Sequence, residues 1–269
     1  MAGRFDGKVA FVTGAARGQG RAEAVRLAEE GADILAVDLC EAVPTATYDG
    51  ATRADLEATE RAVSALGRRI VTRVVDVRDM DAMQAAVDAG VAELGRLDVV
   101  VANAGICSYG LLWELTEEQF RTMVDVNVVG TWHTLKAAVP TMIAQGTGGA
   151  IVVKSSVAGK KGAPWLSHYV ASKFAITGMA KSLANEVGRY GIRVVSVHPY
   201  GVDTPMGQDE TLHALLAATP EQAPIFGAAL PPALIEPENV AAAVAYIASD
   251  DGRHLTGCEF VIDLGHLSR

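Results

Sequence analysis

The sequence predicts an α/β protein in which a doubly wound parallel sheet of about seven strands carries helices on both faces. Short β-branched runs alternate with alanine-rich helical segments along almost the whole chain of 269 residues. Several strand-like runs are nearly all apolar, which is typical of strands covered on both faces. We find no repeat, low-complexity tract or linker that would divide the chain. Because strands separated by helices indicate βαβ units, we predict one domain over residues 1–269.

The predicted strands are short runs rich in Val and Ile. They occupy residues 8–13, 33–38, 70–75, 98–103, 150–155, 192–198 and 259–263. The predicted helices lie between them, at residues 19–30, 53–66, 79–94, 117–144, 168–190 and 237–248. Thr116, followed three positions later by Gln119, forms a capping-box pattern that predicts the start of the helix at 117. Right-handed crossovers then place the carboxyl ends of all strands on one edge, where ligands bind.

Two segments interrupt this alternation. Residues 40–52, CEAVPTATYDGAT, lengthen the connection after the second strand. Residues 205–236 form a Pro- and Ala-rich connection after the sixth strand. Long irregular loops at a ligand edge often act as lids. We therefore predict a loop insertion at 40–52 and a substrate lid at 205–236, both at the binding edge.

The charge balance excludes some classes of partner. Lys and Arg total 23 against 32 Asp and Glu, a net charge of −9, which disfavours nucleic acid and anionic membrane surfaces as partners. No apolar run approaches the roughly 20 residues of a membrane span, and the first residues lack an apolar signal core. Cys40, Cys107 and Cys258 are widely separated and lack metal-ligand spacing. We predict reduced cysteines in a cytoplasmic protein without a metal site.

A glycine cluster lies between the first predicted strand and the first predicted helix. Gly14, Gly18 and Gly20 have the spacing G-x3-G-x-G in TGAARGQG. Glycine lets the backbone turn sharply and approach a pyrophosphate, and the following helix N-terminus offers unpaired N–H groups. The alternative is an ordinary turn that happens to contain glycines. The position between strand and helix favours a dinucleotide site in a Rossmann-type fold.

Asp38 ends the second strand, about twenty residues beyond the glycine cluster. A carboxylate there can accept hydrogen bonds from ribose hydroxyls and would repel a 2′-phosphate, which favours NAD over NADP. Arg17 favours NADP instead, because a basic residue in this loop could pair with the 2′-phosphate. Alternatively, Arg17 is a solvated loop residue. We predict NAD as the cofactor, with Asp38 as the stronger signal.

Tyr169 and Lys173 lie four positions apart in SHYVASKF, so on a helix they share one face. A phenol has a pKa of about 10, and bringing it to half-ionisation near pH 7 to 8 requires about 3–4 kcal/mol. An adjacent ammonium and an oxidised nicotinamide can supply that free energy and make the phenol a base. The alternative is a solvated surface pair worth a few tenths of a kcal/mol. His168 should point away from Lys173, and we expect a structural role for it.

The ordered set of glycine loop, Asp38, DVRD, VANAG and Tyr169 with Lys173 resembles the short-chain dehydrogenase/reductase family over essentially the full chain. The resemblance implies a catalytic set, and its members are Asn127, Ser156, Tyr169 and Lys173. Ser156, rather than Ser155, would orient the substrate oxygen, and for Ser155 we expect a turn or capping role. Asn127 would hold a structural water of the proton relay. The cofactor accepts the hydride, so no metal is required.

The resemblance also implies the cofactor contacts. The pyrophosphate would be held by the glycine loop, and the adenosine and nicotinamide by residues at successive strand ends. The implied residues are Gly14, Arg17, Gly18, Gln19, Gly20, Asp38, Leu39, Asp76, Val77, Asn103, Ala104, Gly105, Tyr169, Lys173, Val202 and Thr204. Of these, Val202 and Thr204 would receive the nicotinamide carboxamide, and Lys173 would also hold the nicotinamide ribose.

Within the family, the 40–52 insertion, GRLDVVVANAGI and VHPYGVDTPM resemble the branch that includes carveol dehydrogenases. Many members of that branch are thought to depend on mycofactocin and to hold NAD without exchanging it. Two residues depart from the family pattern. Ala102 stands where many members have a second Asn, and Leu264 replaces the first Gly of a common C-terminal VDGG. Neither departure affects the reacting groups.

Apolar segments predict the substrate class. GLLWEL (110–115), GAPWL (162–166) and the apolar lid residues suggest a compact lipophilic secondary alcohol or its ketone, such as a cyclic or terpenoid alcohol. The alternative, of equal weight, is that part of this apolar surface does no more than pack the lid against the body of the protein. The family implies a homotetramer formed through the helices at 117–144 and 168–190. Two alternatives stay open: an ordinary ketone reductase that exchanges NAD(P)H, and a non-catalytic nucleotide-binding regulator.

Overall fold

The computed structural model describes residues 3–269 and contains a seven-stranded sheet. In chain order the strands are β1 Val9–Thr13, β2 Asp33–Asp38, β3 Ile70–Val74, β4 Val99–Ala102, β5 Gly149–Lys154, β6 Ile192–Pro199 and β7 Glu259–Ile262. They are arranged β3-β2-β1-β4-β5-β6-β7, and every neighbouring pair is parallel. The predicted fold class is confirmed.

Eight α-helices accompany the strands in the described part of the chain. They are α1 Gly18–Glu29, α2 Arg53–Ala65, α3 Met80–Leu94, α4 Glu117–Val124, α5 Gly130–Gln145, α6 Ser167–Val187, α7 Glu210–Ala218 and α8 Pro237–Ala248. Side chains alternate across each strand and build two cores. Phe11 and Val100 belong to the core beneath α3, α5 and α6, whereas Ala10 and Val101 belong to the core beneath α1, α2 and α8.

The helix predicted at 117–144 is interrupted by a wider turn. The capping box opens α4 as predicted, with the Thr116 hydroxyl accepting a hydrogen bond from the Gln119 N–H at 3.1 Å. A π-helical turn at Asp125–Val129 then separates α4 from α5. Such turns hold one extra residue and are frequent at functional sites. Within residues 3–269, none of the helices has the length and apolar character needed to cross a membrane.

The two irregular segments differ from each other. Residues 40–52 contain neither helix nor strand, as their composition suggests. Residues 205–236 include α7, which the prediction of an irregular lid did not foresee. Asp209 caps this helix by accepting a hydrogen bond from the Thr211 N–H at 2.9 Å. An Asp directly before a helix-forming run is a start signal, and the surrounding prolines concealed it.

Candidate active site

The glycine loop joins β1 to α1 at the carboxyl edge of the sheet. Gly14 has a φ of +68°, in the left-handed region that favours glycine. A Cβ added to Gly20 would lie 2.0 Å from the carbonyl oxygen of Gly14, so no side chain fits there. The tight loop leaves the N-terminus of α1 open toward the sheet edge, which suits an anionic pyrophosphate.

The sheet order changes direction between β1 and β4, and a side chain joins the two loops that follow these strands. The Asn103 amide nitrogen donates hydrogen bonds to the carbonyl oxygens of Thr13 at 2.9 Å and Gly14 at 3.3 Å. In return, the Thr13 hydroxyl accepts from the backbone N–H of Ala104 at 3.1 Å. In doubly wound sheets, ligands bind at this switch point.

The carboxylate of Asp38 fixes the end of β2 to the glycine loop. It accepts hydrogen bonds from the N–H groups of Ala16 at 2.9 Å and Cys40 at 3.0 Å. Arg17 does not pair with Asp38, because its guanidinium donates to the carbonyl oxygen of Asp49 in the insertion. Asp38 therefore lies at the edge without a cationic partner among the described residues, as NAD recognition requires.

One cavity at this edge collects almost all of the predicted cofactor residues. Its wall includes Gly14, Arg17, Gly18, Gln19, Gly20, Asp38, Leu39, Asp76, Val77, Asn103, Ala104, Gly105, Tyr169, Lys173 and Thr204. Val202 is not in the wall; it is buried and bridges to Ile235. Ser156 and Asn127 also lie outside the wall of this cavity.

Tyr169 and Lys173 project from one face of α6 into the cavity. The Lys173 ammonium lies 5.4 Å from the centre of the Tyr169 ring and donates a hydrogen bond to the carbonyl oxygen of Lys154 at 2.9 Å. Lys173 is buried and Tyr169 is half-buried. The pair is therefore not the solvated surface pair of the alternative interpretation.

The two serines after β5 have different surroundings. The Ser156 hydroxyl accepts a hydrogen bond from the Ala158 N–H at 3.1 Å and caps a short turn at Val157–Gly159. The Ser155 hydroxyl donates to the carbonyl oxygen of Lys173 at 3.1 Å. Ser155 thus joins the strand end to α6, whereas hydrogen bonding with Ser156 lowers the pKa of the Tyr169 phenol.

Asn127 lies in the π-helical turn and is fully buried. Its side chain accepts from the Ile106 N–H at 2.8 Å and donates to the Ile106 carbonyl at 3.0 Å and to the Ser172 hydroxyl at 3.0 Å. The amide is consumed by these bonds. It joins the loop after β4 to α6, so the side chain of Asn127 positions the cavity wall and has no free donor to offer a ligand.

The protein environment alone does not make Tyr169 acidic. Burial raises its pKa, the nearby Cys107 raises it further, and the interaction with Ser156 lowers it only in part. Burial, assisted by the charge of Lys154, lowers the pKa of Lys173 to about 8. The positive charge of an oxidised nicotinamide, which the prediction combines with that of Lys173, would act against these effects.

The insertion at 40–52 covers one side of the cavity and is anchored at three points. The Tyr48 hydroxyl accepts a hydrogen bond from the Cys107 N–H at 3.2 Å, and Thr47 donates to Asp209 in front of α7. The third anchor joins Arg17 to Asp49. Sequence reasoning missed Tyr48 as a wall residue because no local pattern announces a contact with a residue so distant in the chain. We call residues 40–52 the strap.

The apolar segments predicted to contact the substrate differ in their surroundings. Trp165 is buried and stacks on Phe226 of the lid, with ring centres 5.9 Å apart, and Met206 lines the cavity. Leu112 and Trp113 are instead 63% and 78% exposed. Part of the apolar surface therefore packs the lid on the body, as the second interpretation had it.

The histidines near the site have structural partners. His168 is fully buried beside Ser108, with its Nε2 2.8 Å from that hydroxyl. His198 lies 2.9 Å from the Ser156 carbonyl oxygen through Nδ1. Over the described residues 3–269, no group of three or more His, Cys, Asp or Glu side chains could hold a metal ion.

Comparison with known proteins shows which family this chain resembles. The short chain dehydrogenase family profile matches residues 8–214. The (−)-trans-carveol dehydrogenase of Rhodococcus erythropolis is 41% identical, and the match covers 97% of this chain and 98% of that protein. A crystal structure of a Mycobacterium paratuberculosis short chain dehydrogenase bound to NAD superposes with a TM-score of 0.96 at 46% identity, covering 99% of this chain and 100% of that one. The Mycobacterium avium carveol dehydrogenase in complex with NAD gives 0.95 at 42% identity with the same coverage.

This chain belongs to the short-chain dehydrogenase family. The predicted resemblance, including the similarity to carveol dehydrogenases, is confirmed.

Proposed function

We propose that this protein is an NAD-dependent oxidoreductase that interconverts a lipophilic secondary alcohol and its ketone. The observation that carries the proposal is the convergence of the glycine loop, Asp38, Tyr169 and Lys173 on one cavity. A cyclic or terpenoid, carveol-like alcohol is the substrate class. Similarity to a carveol dehydrogenase and the apolar Met206 in the cavity wall support this choice.

The residues present fit NAD. The absence of a side chain at Gly20 lets α1 begin close against the Gly14 carbonyl, and the N-terminus of α1 offers N–H groups to a pyrophosphate. Asp38 presents a carboxylate that can accept ribose hydroxyls, and solved relatives with 42% and 46% identity bind NAD. When bound, NAD⁺ accepts the hydride and places a positive charge at the catalytic end of the cavity.

The residues of the chain then supply the proton chemistry. Tyr169 takes the proton of the substrate hydroxyl, and its phenolate is favoured by positive charge from Lys173 and the oxidised ring. Ser156 orients the substrate oxygen and stabilises charge developing on it. The side chain of Asn127 holds the loop after β4 against α6, so that this geometry persists between turnovers.

The test is Tyr169→Phe, assayed with cyclic secondary alcohols and an electron-accepting dye. We expect turnover to fall by about 10²–10⁴, because general base catalysis contributes that much, while NAD binding is retained. Tyr246→Phe, on the exposed face of α8, is the matched control and should keep full activity. Near-normal turnover in Tyr169→Phe would refute the assignment.

The strap favours retained over exchanging NAD. It is anchored to the glycine loop, to the loop after β4 and to the lid, so that a nucleotide would have to break several contacts to leave. We therefore propose a tightly held NAD that is re-oxidised in place by mycofactocin. Gel filtration tests this: NAD that stays bound and turns over only with an added acceptor supports it. Rapid exchange with free NAD⁺ supports the ordinary reductase instead.

We also propose a cytoplasmic homotetramer. The three cysteines are unpaired, which fits a reducing compartment. Trp132 on α5 is 45% exposed and lines an apolar groove together with Leu183 of α6, and Phe174 of α6 is 48% exposed. Light scattering should give the mass of four chains, and Trp132→Lys should reduce it. Trp113→Lys, which changes an equally large exposed side chain elsewhere, should not.

A further inference from the structure

A buried ion pair lies outside the predicted catalytic and cofactor sets. Glu23 on α1 is fully buried, and the side chain of Lys154 at the end of β5 is 5% exposed. The two side chains form an ion pair with each other. Fully buried charges are costly unless they are paired and hydrogen-bonded, so the position of this pair calls for an explanation.

The pair lies immediately behind the catalytic end of the cavity. Lys154 is part of the cavity wall together with Tyr169 and Lys173, and its backbone carbonyl accepts the hydrogen bond from the Lys173 ammonium at 2.9 Å. Glu23 lies one helical turn beyond Gln19 in α1, on the same face. The pair thus connects the helix that follows the glycine loop with the strand end that positions the catalytic lysine.

The hydrogen bonding of the pair is poor for a purely structural element. In the described residues, neither Glu23 oxygen nor the Lys154 nitrogen has a hydrogen bond of good geometry, and the buried Gln19 Oε1 nearby lacks one too. Buried ion pairs of this kind add little stability compared with apolar residues of similar size. Burial raises the pKa of Glu23, and the attraction of Lys154 opposes this rise.

We propose that Glu23 neutralises the Lys154 ammonium so that the catalytic end of the cavity accepts the positively charged, oxidised nicotinamide. The inference rests on the proposed NAD chemistry. Two ammonium groups lie near this end of the cavity, that of Lys173 and that of Lys154, which is buried behind the wall. The nicotinamide ring is positive when oxidised and neutral when reduced. An uncompensated Lys154 would therefore oppose the oxidised ring and favour the reduced one.

The experiment is a redox titration of nicotinamide bound to the purified holoprotein, against dye couples of known potential at one pH. It needs no cofactor exchange, so it is valid whether NAD is retained or not. For Glu23→Gln we expect the equilibrium to shift about tenfold toward the reduced form, as for a charge interaction over several ångström in a partly screened site. Glu23→Asp keeps the charge and should match the wild type.

The double variant Glu23→Gln with Lys154→Met separates charge from packing. It removes both charges and the structural connection, and we expect the wild-type equilibrium to return. An unchanged equilibrium in Glu23→Gln, or an equal shift in the single and double variants, would overturn the proposal.

Should Glu23→Gln fail to fold, Lys154→Met decides alone. It should show no shift toward the reduced form, and such a shift would overturn the proposal. Failure of the proposed function is distinguishable from these outcomes, because the wild-type protein would then show no nicotinamide reduction at all.

Discussion

The sheet edge and the two segments that cover it are built differently. At the edge, Asp38, Asn103 and Thr13 connect neighbouring strand ends through bonds to backbone groups. The strap and the lid are joined to each other and to the body by side chains such as Thr47, Tyr48 and Asp209. At the edge, each bond ends on a backbone group of a strand end or of the loop directly after it, whereas the bond between Thr47 and Asp209 joins two segments outside the sheet. On this contrast we propose that the edge determines which cofactor binds, and that the strap and the lid determine how long it stays and which alcohol enters.

Among substitutions at the sheet edge, we expect Gly20→Ala to impair NAD binding most. Its Cβ would overlap the Gly14 carbonyl oxygen, and the overpacking should weaken NAD binding by about a hundredfold, which corresponds to the upper part of the 1–3 kcal/mol range. Calorimetry measures this binding. Gly178→Ala in α6 is the control, because nothing lies within 4 Å of the added Cβ. It should bind NAD normally and stabilise the helix by up to about 1 kcal/mol.

The burial of Lys173 at the sheet edge can be tested through the pH dependence of stability. Its pKa is lowered from 10.5 to about 8 by burial, so between these values the unfolded chain binds a proton that the folded protein does not. Stability of the nucleotide-free protein should therefore rise with pH in this window, by about 1.4 kcal/mol per pH unit from this group. Denaturant unfolding at several pH values should show that Lys173→Met loses this slope. An identical slope in both proteins would contradict the burial argument.

Asp38→Ala sharpens the role of the edge in cofactor choice. Without the carboxylate, the repulsion of a 2′-phosphate disappears, and we expect the preference for NAD over NADP to narrow by about tenfold. The two affinities should be measured on the same preparation, because Asp38 also accepts backbone bonds from Ala16 and Cys40. A loss of both affinities in equal proportion would assign Asp38 a purely structural role.

Thr47→Val tests whether the strap retains NAD, and it has the smallest expected effect of these variants. It removes the hydroxyl that joins the strap to Asp209 while keeping the shape of the side chain. Thr47 is exposed, so water replaces part of the lost bond and the typical net value of about 0.5–1.5 kcal/mol applies. Release of NAD should therefore accelerate about tenfold at most. Thr45→Val is the control, since the buried Thr45 hydroxyl has no hydrogen-bond partner within residues 3–269. Equal release rates in both variants would show that the strap does not retain the cofactor.

The edge could be predicted from the sequence because its signals are local. A glycine cluster between strand and helix, an acidic residue at the end of β2 and a Tyr–Lys pair one helical turn apart each follow from short-range periodicity. Nearly all of these residues line one cavity. Among the predicted site residues, Val202, Ser156 and Asn127 lie outside its wall, and the bridge of Val202 to Ile235 depends on how the lid returns to the sheet.

The rest depends on contacts between residues far apart in the chain. Tyr48 meets Cys107, Thr47 meets Asp209 and Glu23 meets Lys154, and no pattern within a single segment announces these pairs. Burial of the Tyr169 phenol by distant elements raises its pKa, and no local pattern indicates that burial either. Leu264 is instructive: it adopts a φ of +52° at the position where the family commonly has glycine, so the backbone conformation survives the substitution.

The wide turn at Asn127 gives the long helical segment from Glu117 to Gln145 one surplus residue. Because the surplus is absorbed within that turn, α4 and α5 each keep the rotational phase that their buried faces need. Deleting one residue there would yield a more regular helix, yet it would withdraw the inward amide that secures Ile106. We therefore expect a more regular helix here to loosen the loop after β4, whose Ile106 lines the binding cavity.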